Sequence, residues 1–279
     1  MSQDKKYIKF FVIGILFILT YFPTLIWMWE RWMAKDSYYG HGILVPFISG
    51  YIVWQIIKKR REEIKKSAKK CEFKPVKAGL FFIIIGLFIH IISAWMRVYF
   101  SSGFSMLITI IGLTLYLGGK QALKTFAFPI AFIIFMLPLP LVAVANISFK
   151  MKIFAAEMAK ILINSIGIPA IRSGSEIIMR HSNLMVGDPC SGLRSLISLL
   201  ALGSLFSYYA NVSYIRKTIL FAASIPLALA SNIARISFLC FMSEIYGPKS
   251  AEGLVHDAAG MMVFVLAFLG MVVVGKILE

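Results

Sequence analysis

The chain has 279 residues, 59% of them hydrophobic, with a mean hydropathy of +0.82 and a formal net charge of +16. Apolar runs of near-spanning length recur throughout, which excludes an ordinary globular domain and defines a polytopic helical membrane protein. The basic residues fall in short segments between those runs, the pattern that orients a membrane protein, so the charge does not call for a nucleic-acid partner.

In chain order the apolar runs cover residues 8–29, 42–57, 76–96, 102–118, 125–145, 191–209, 217–243 and 257–278. They predict an all-α protein of about eight transmembrane helices, each of ~20 residues, forming one integral membrane domain over 1–279. The first run, from Phe10 to Trp29, is too long for a signal-peptide core and is followed by no small-residue cleavage site, so it is expected to be a retained anchor. Between the second and third runs lies KKRREEIKKSAKKCEFKPVK, Lys58 to Lys77, the strongest basic block and therefore cytoplasmic by charge. Alternation then puts the amino terminus inside with Lys5, Lys6 and Lys9, together with Lys120, Lys124, Arg216, Lys217 and Lys276. Four segments fall outside: Glu30 to His41, Arg97 to Ser101, Asn146 to Cys190 and Glu244 to His256.

Pro138 and Pro140 in MLPLP are expected to end the fifth span. In the long outer segment, Lys150, Glu157, Lys160 and Asn164 recur at helical spacing, which predicts an amphipathic helix from Phe149 to Gly167 at the extracytoplasmic surface. After Pro169 and Gly174, the stretch EIIMRHSNLMV reads as a short hairpin that delivers the chain to Asp188.

The stretch VGDPCSGLRS, Val186 to Ser195, carries the first chemical signal. Asp188 can cap a helix and Pro189 suits its first position, which would set Cys190 in the first turn with Arg194 on the same face. A helix amino terminus and a nearby guanidinium both favour thiolate, and the amides of Ser191 and Gly192 can serve a developing oxyanion. The plainer reading is a packed, inert thiol. Cys71 falls in the basic loop as a solvated residue, and a disulfide between Cys240 and Cys190 is conceivable in an oxidising compartment.

The seventh run contributes SNIARIS, in which Asn232 and Arg235 share a helical face with Ser224, Ala228 and Ser231. An arginine within a span is costly and turns to a protein interior or cavity, and no span offers it an obvious carboxylate. A structural ion pair or a snorkelling side chain is the alternative. His256 in GLVHDAAG opens the eighth run, and His41 precedes the second, both on the outer side. His90 reads as a hydrogen-bonded helix residue and His181 as a loop residue.

The stretches SYYGHGILVPFISGYIVW, FMLPLP, PCSGLRSLISLLAL, IPLALASNIARI and HDAAGMMVF, in this order, resemble the exosortase/archaeosortase family of multipass membrane cysteine enzymes over most of the chain. The departure is Asp188-Pro189, where an acidic-Ala pair is expected before the cysteine. The resemblance implies a catalytic Cys190, Arg235 and His256; from their spacing and side of the membrane Arg194, Asn232, His41 and Ser191 are expected in support, and neither metal nor cofactor is expected. It implies removal of a carboxy-terminal sorting signal (a short motif, one transmembrane helix and a basic tail) from membrane-anchored exported proteins. A thioester would form at the extracytoplasmic face of the cell membrane, and the protein would pass to an acceptor. Two alternatives stay open: an intramembrane protease that only hydrolyses, and a non-enzymatic transporter or assembly factor for exported polymers.

Overall fold

The computed structural model describes residues 3–35, 37–67, 74–187, 191–251 and 253–279. Among them, six helices are long and apolar enough to cross a membrane, or seven if the bent pair Ala127–Met136 and Leu141–Ser165 forms one span. The all-α polytopic membrane fold is therefore as expected, with a lower count than eight. Two runs account for the difference. The run at 191–209 yields a helix of only 17 residues, and the run at 125–145 is broken. Its break follows from Pro138 and Pro140: Leu137 takes the extended conformation demanded before proline, at ψ 113°, and the two prolines, one residue apart, each lack a ladder donor.

The chain packs as two compact units, Met1–Leu139 and Pro140–Glu279. The first holds α1 (Gln3–Met33), α2 (Leu44–Ser67, entered through a 3-10 turn at Gly40–Ile43), α3 (Ala78–Trp95), α4 (Tyr99–Thr125) and α5 (Ala127–Phe132, leaving through Ile133–Met136). In hydrocarbon, buried hydroxyls must find partners on neighbouring helices. Here Tyr21 Oη meets Thr109 Oγ1 at 2.8 Å, Thr24 Oγ1 meets Ser102 Oγ at 2.6 Å, and Ser102 Oγ meets His90 Nδ1 at 2.7 Å. These contacts join α1, α3 and α4, and give His90 the hydrogen-bonded helix role expected of it.

The second unit holds α6 (Leu141–Ser165), a three-stranded antiparallel sheet of β1 (Ala170–Ser173), β2 (Glu176–Met179) and β3 (Asn183–Met185), then α7 (Leu193–Tyr209), α8 (Tyr214–Tyr246) and α9 (Gly253–Leu278). Helix α6 begins eight residues before the expected Phe149, because the proline break frees Leu141 onward to join it. Its buried stripe of Val144, Ser148, Ala155, Ala156, Ala159 and Ile163 keeps helical spacing. The expected hairpin is present as β2 and β3, with Ile177 opposite Leu184, and β1 adds a third strand with Ile171 opposite Ile178.

Two devices fix this sheet. The Asn164 side chain accepts from the Ala170 amide at 2.7 Å and donates to the Ala170 carbonyl at 3.1 Å, occupying the outer margin of β1. At the other end Glu244 of α8 accepts from the His181 amide at 3.0 Å and from Ser182 Oγ at 3.1 Å, holding the β2–β3 turn. A core of Ala155, Ala156 and Ile163 from α6, Ile177 and Met179 from the sheet, and Ile236 and Cys240 from α8 lies between. Cys240 is a free thiol there, fully buried, so it does not form the conceivable disulfide.

Candidate functional site

The site is built on α8. Ser224, Ala228, Ser231, Asn232 and Arg235 recur at helical spacing and are all buried, as the sequence stripe requires, with Arg235 only 8% exposed. Arg235 Nη2 donates to His256 Nε2 of α9 at 3.0 Å and approaches the His256 carbonyl at 3.4 Å. A guanidinium has donors and no acceptor, so Nε2 of the ring is unprotonated and the ring proton belongs to Nδ1. The ring makes a further hydrogen bond to the backbone of Ala251, which fits that tautomer.

Space for the guanidinium comes from Gly260, one turn beyond His256. A Cβ placed at Gly260 would stand 3.6 Å from Arg235 Nη2, so even alanine would line the same slot. Gly192 contributes differently. It adopts φ 80° and lies against Asn232, where an added Cβ would come within 2.7 Å of Asn232 Nδ2. Only glycine meets both demands without strain. Ser191 is buried beside it, and its Oγ accepts weakly from the Leu193 amide at 3.4 Å.

Gly192 also revises the expected helix start. The left-handed residue precedes α7, which begins at Leu193; the expected cap by Asp188 and first-turn position of Cys190 fall on residues outside those described. Gly192 is the residue that caps the start of α7, with Ser191 just before it. Arg194 is the second residue of α7, and its Nε is buried with no hydrogen-bond partner among the described residues. Asp188, Pro189, Cys190 and Cys71 themselves lie outside the described residues.

Cys190 is nevertheless bracketed in sequence. Val186 belongs to the buried cluster of Ile236 and Cys240, and Gly192 rests on Asn232. The two flanks of the cysteine segment thus reach α8 on either side of Arg235. His41 belongs to the first unit, where it lies 6.3 Å from the Tyr39 ring and hydrogen-bonds the backbone of Phe135.

A cavity of about 330 Å³ opens beside His256, bounded also by Asn183 to Met185 of β3, Val186, Ile236 and Leu239 of α8, Pro248 and Ala251. Sequence reading did not anticipate this cavity, nor the roles of Gly192 and Gly260. Their signals were a glycine two residues after the cysteine, and a glycine at i+4 from His256 on the facing helix.

A polytopic helical membrane protein with a buried arginine hydrogen-bonded to a half-buried histidine on a packed neighbouring helix is the class that fold and site define. The family model described as transmembrane exosortase (Exosortase_EpsH) matches residues 28–273, and the chain belongs to that family. No match was found among curated proteins, and none among solved structures.

Proposed function

We propose that this protein is a membrane cysteine transpeptidase that removes a carboxy-terminal sorting signal from exported proteins at the extracytoplasmic face of the cell membrane. The supporting observation is the Arg235–His256 contact at 3.0 Å, with both flanks of the Cys190 segment anchored to α8 around Arg235. Membership of the transmembrane exosortase family agrees with this reading.

In the proposed reaction the Cys190 thiol attacks the scissile carbonyl, and its proton passes through His256 to the departing amine. A thioester forms and the peptide bond breaks, releasing the fragment with the transmembrane helix and basic tail. An acceptor nucleophile then attacks the thioester and restores the thiol. Arg235 donates to the oxyanion of each tetrahedral intermediate, while five N–H groups in a planar fork allow the same residue to orient His256. For the first proton transfer Nε2 of His256 exchanges Arg235 for the thiol, since its lone pair serves Arg235 in the resting arrangement.

The test is product analysis of an epitope-tagged exported protein that ends in a motif, a transmembrane helix and a basic tail, co-expressed with this chain. A carboxy-terminally shortened product carrying an added mass supports transpeptidation. A free carboxylate at the new terminus would make the enzyme a protease, and an unchanged mass would leave a transporter or assembly factor.

A further inference from the structure

We infer that the outer edge of β3 is a docking strand for the extended backbone of the polypeptide to be cleaved, which lies in the cavity along Asn183 to Val186 and ends against His256 and Arg235. This deepens the function proposed above and rests on it. The sheet order β1-β2-β3 leaves two margins, and Asn164 of α6 occupies the one at β1. On the inner side of β3, facing β2, the Met179 amide donates to the Ser182 carbonyl at 2.9 Å and the Val186 amide to the Ser175 carbonyl at 3.0 Å. Antiparallel pairing alternates, so the backbone groups of residues 182, 184 and 186 turn to β2, and those of Asn183 and Met185 turn away.

Asn183 and Met185 both line the cavity, and His256 lies on its wall. Peptide groups that face a partly enclosed space need partners. An extended peptide supplies them in register along the edge, whereas an acyl chain supplies none. The opposite wall is apolar, with Ile236, Leu239 and Ala251, and suits alternate side chains of such a strand. The geometry thus brings a backbone carbonyl, the group attacked in the proposed reaction, to His256, whose ring Arg235 holds.

The test uses the full chain in lipid vesicles with the tagged exported protein described above. A photo-crosslinking residue at Met185, which is 71% exposed, in an Arg235→Ala background should form an adduct with substrate residues close to the scissile bond. The same probe at Ile171 of β1, 72% exposed, should form none. Met185→Pro removes only an outward-facing N–H, as an edge strand permits, and should raise the half-saturating substrate concentration about 3- to 10-fold. If the unsubstituted enzyme processes the substrate and no adduct forms at Met185, the docking strand is overturned. Met185→Pro processing with parental substrate dependence would overturn it equally. An adduct at Met185 beside an unsubstituted chain that processes nothing would retain the docking strand and sink the transpeptidase. If Met185→Pro fails to accumulate, the crosslink decides.

Discussion

Arg235 of α8 and His256 of α9 share a hydrogen bond of 3.0 Å between Nη2 and Nε2, which ties two long helices together and fixes the tautomer of the ring. Lysine at 235 would present a mobile point charge and lose the planar fork. Arg235→Lys is therefore expected to lower processing of a tagged substrate by ~100-fold or more, comparable with loss of an oxyanion donor. Processing is normalised to the amount of enzyme in the membrane, because an intramembrane charge change can also affect insertion. Near-normal processing by Arg235→Ala at normal abundance would remove the residue from the site.

Gly260 permits a graded test of the same pair. A Cβ there would meet Arg235 Nη2 at 3.6 Å, an ordinary contact, so Gly260→Ala should process within about 3-fold of the parent. Gly260→Leu must displace the guanidinium, and a shift of an ångström in a reacting geometry costs on the order of 100-fold. Equal activity of the two variants would show that the guanidinium position does not matter.

What the sequence disclosed, and what it withheld, follows from the range of each interaction. The polar stripe from Ser224 to Arg235 was legible because helical period alone puts those residues on one face. The β2–β3 hairpin was legible from short alternating pieces between turn residues. The start of α7 at Leu193 was not, because the left-handed conformation of Gly192 depends on its contact with Asn232 of α8, which local sequence does not report. The early start of α6 was hidden by the apolar character of Leu141 to Ala145, which suits the end of one helix as well as the beginning of the next. The Arg235–His256 contact joins residues 21 apart on different helices, and no periodicity reports such a pairing.

Gly192→Ala should cost stability twice over. The left-handed backbone is worth about 1–2 kcal/mol against any residue with a Cβ, and the added atom would lie 2.7 Å from Asn232 Nδ2. Gly174 provides the comparison, with φ 62° and nothing near its virtual Cβ. Gly174→Ala should lower the melting temperature modestly and preserve processing, whereas Gly192→Ala should lower both. Indistinguishable variants would mean that the Asn232 contact has no functional weight.

The three cysteines separate cleanly. Cys190→Ala is expected to abolish processing, and Cys71→Ala to leave it unchanged. Cys240 packs in the core with Ile236 and Ala156, so Cys240→Ala removes one buried sulfur atom and should cost about 1 kcal/mol of stability without loss of turnover. Turnover by Cys190→Ala would end the proposed mechanism.

Orientation is open to labelling in a cysteine-free background. Lys249, exposed in the turn before α9, and Lys59, exposed near the carboxy end of α2, are suitable positions. With a membrane-impermeant maleimide on intact cells, a cysteine at 249 should react and one at 59 should not. The reverse pattern would place the candidate site on the cytoplasmic side.

The grip of Glu244 on His181 and Ser182 turns α8 into a measuring rod. Nine helical steps, from 235 to 244, separate the guanidinium from the carboxylate that pins the strand turn. At 1.5 Å per residue this is about 13 Å, the length of roughly four residues of extended chain. A peptide lying between those two fixed points would be read over about four positions, so the length of the recognised motif would be set by helical rise and not by the chemistry of any one pocket.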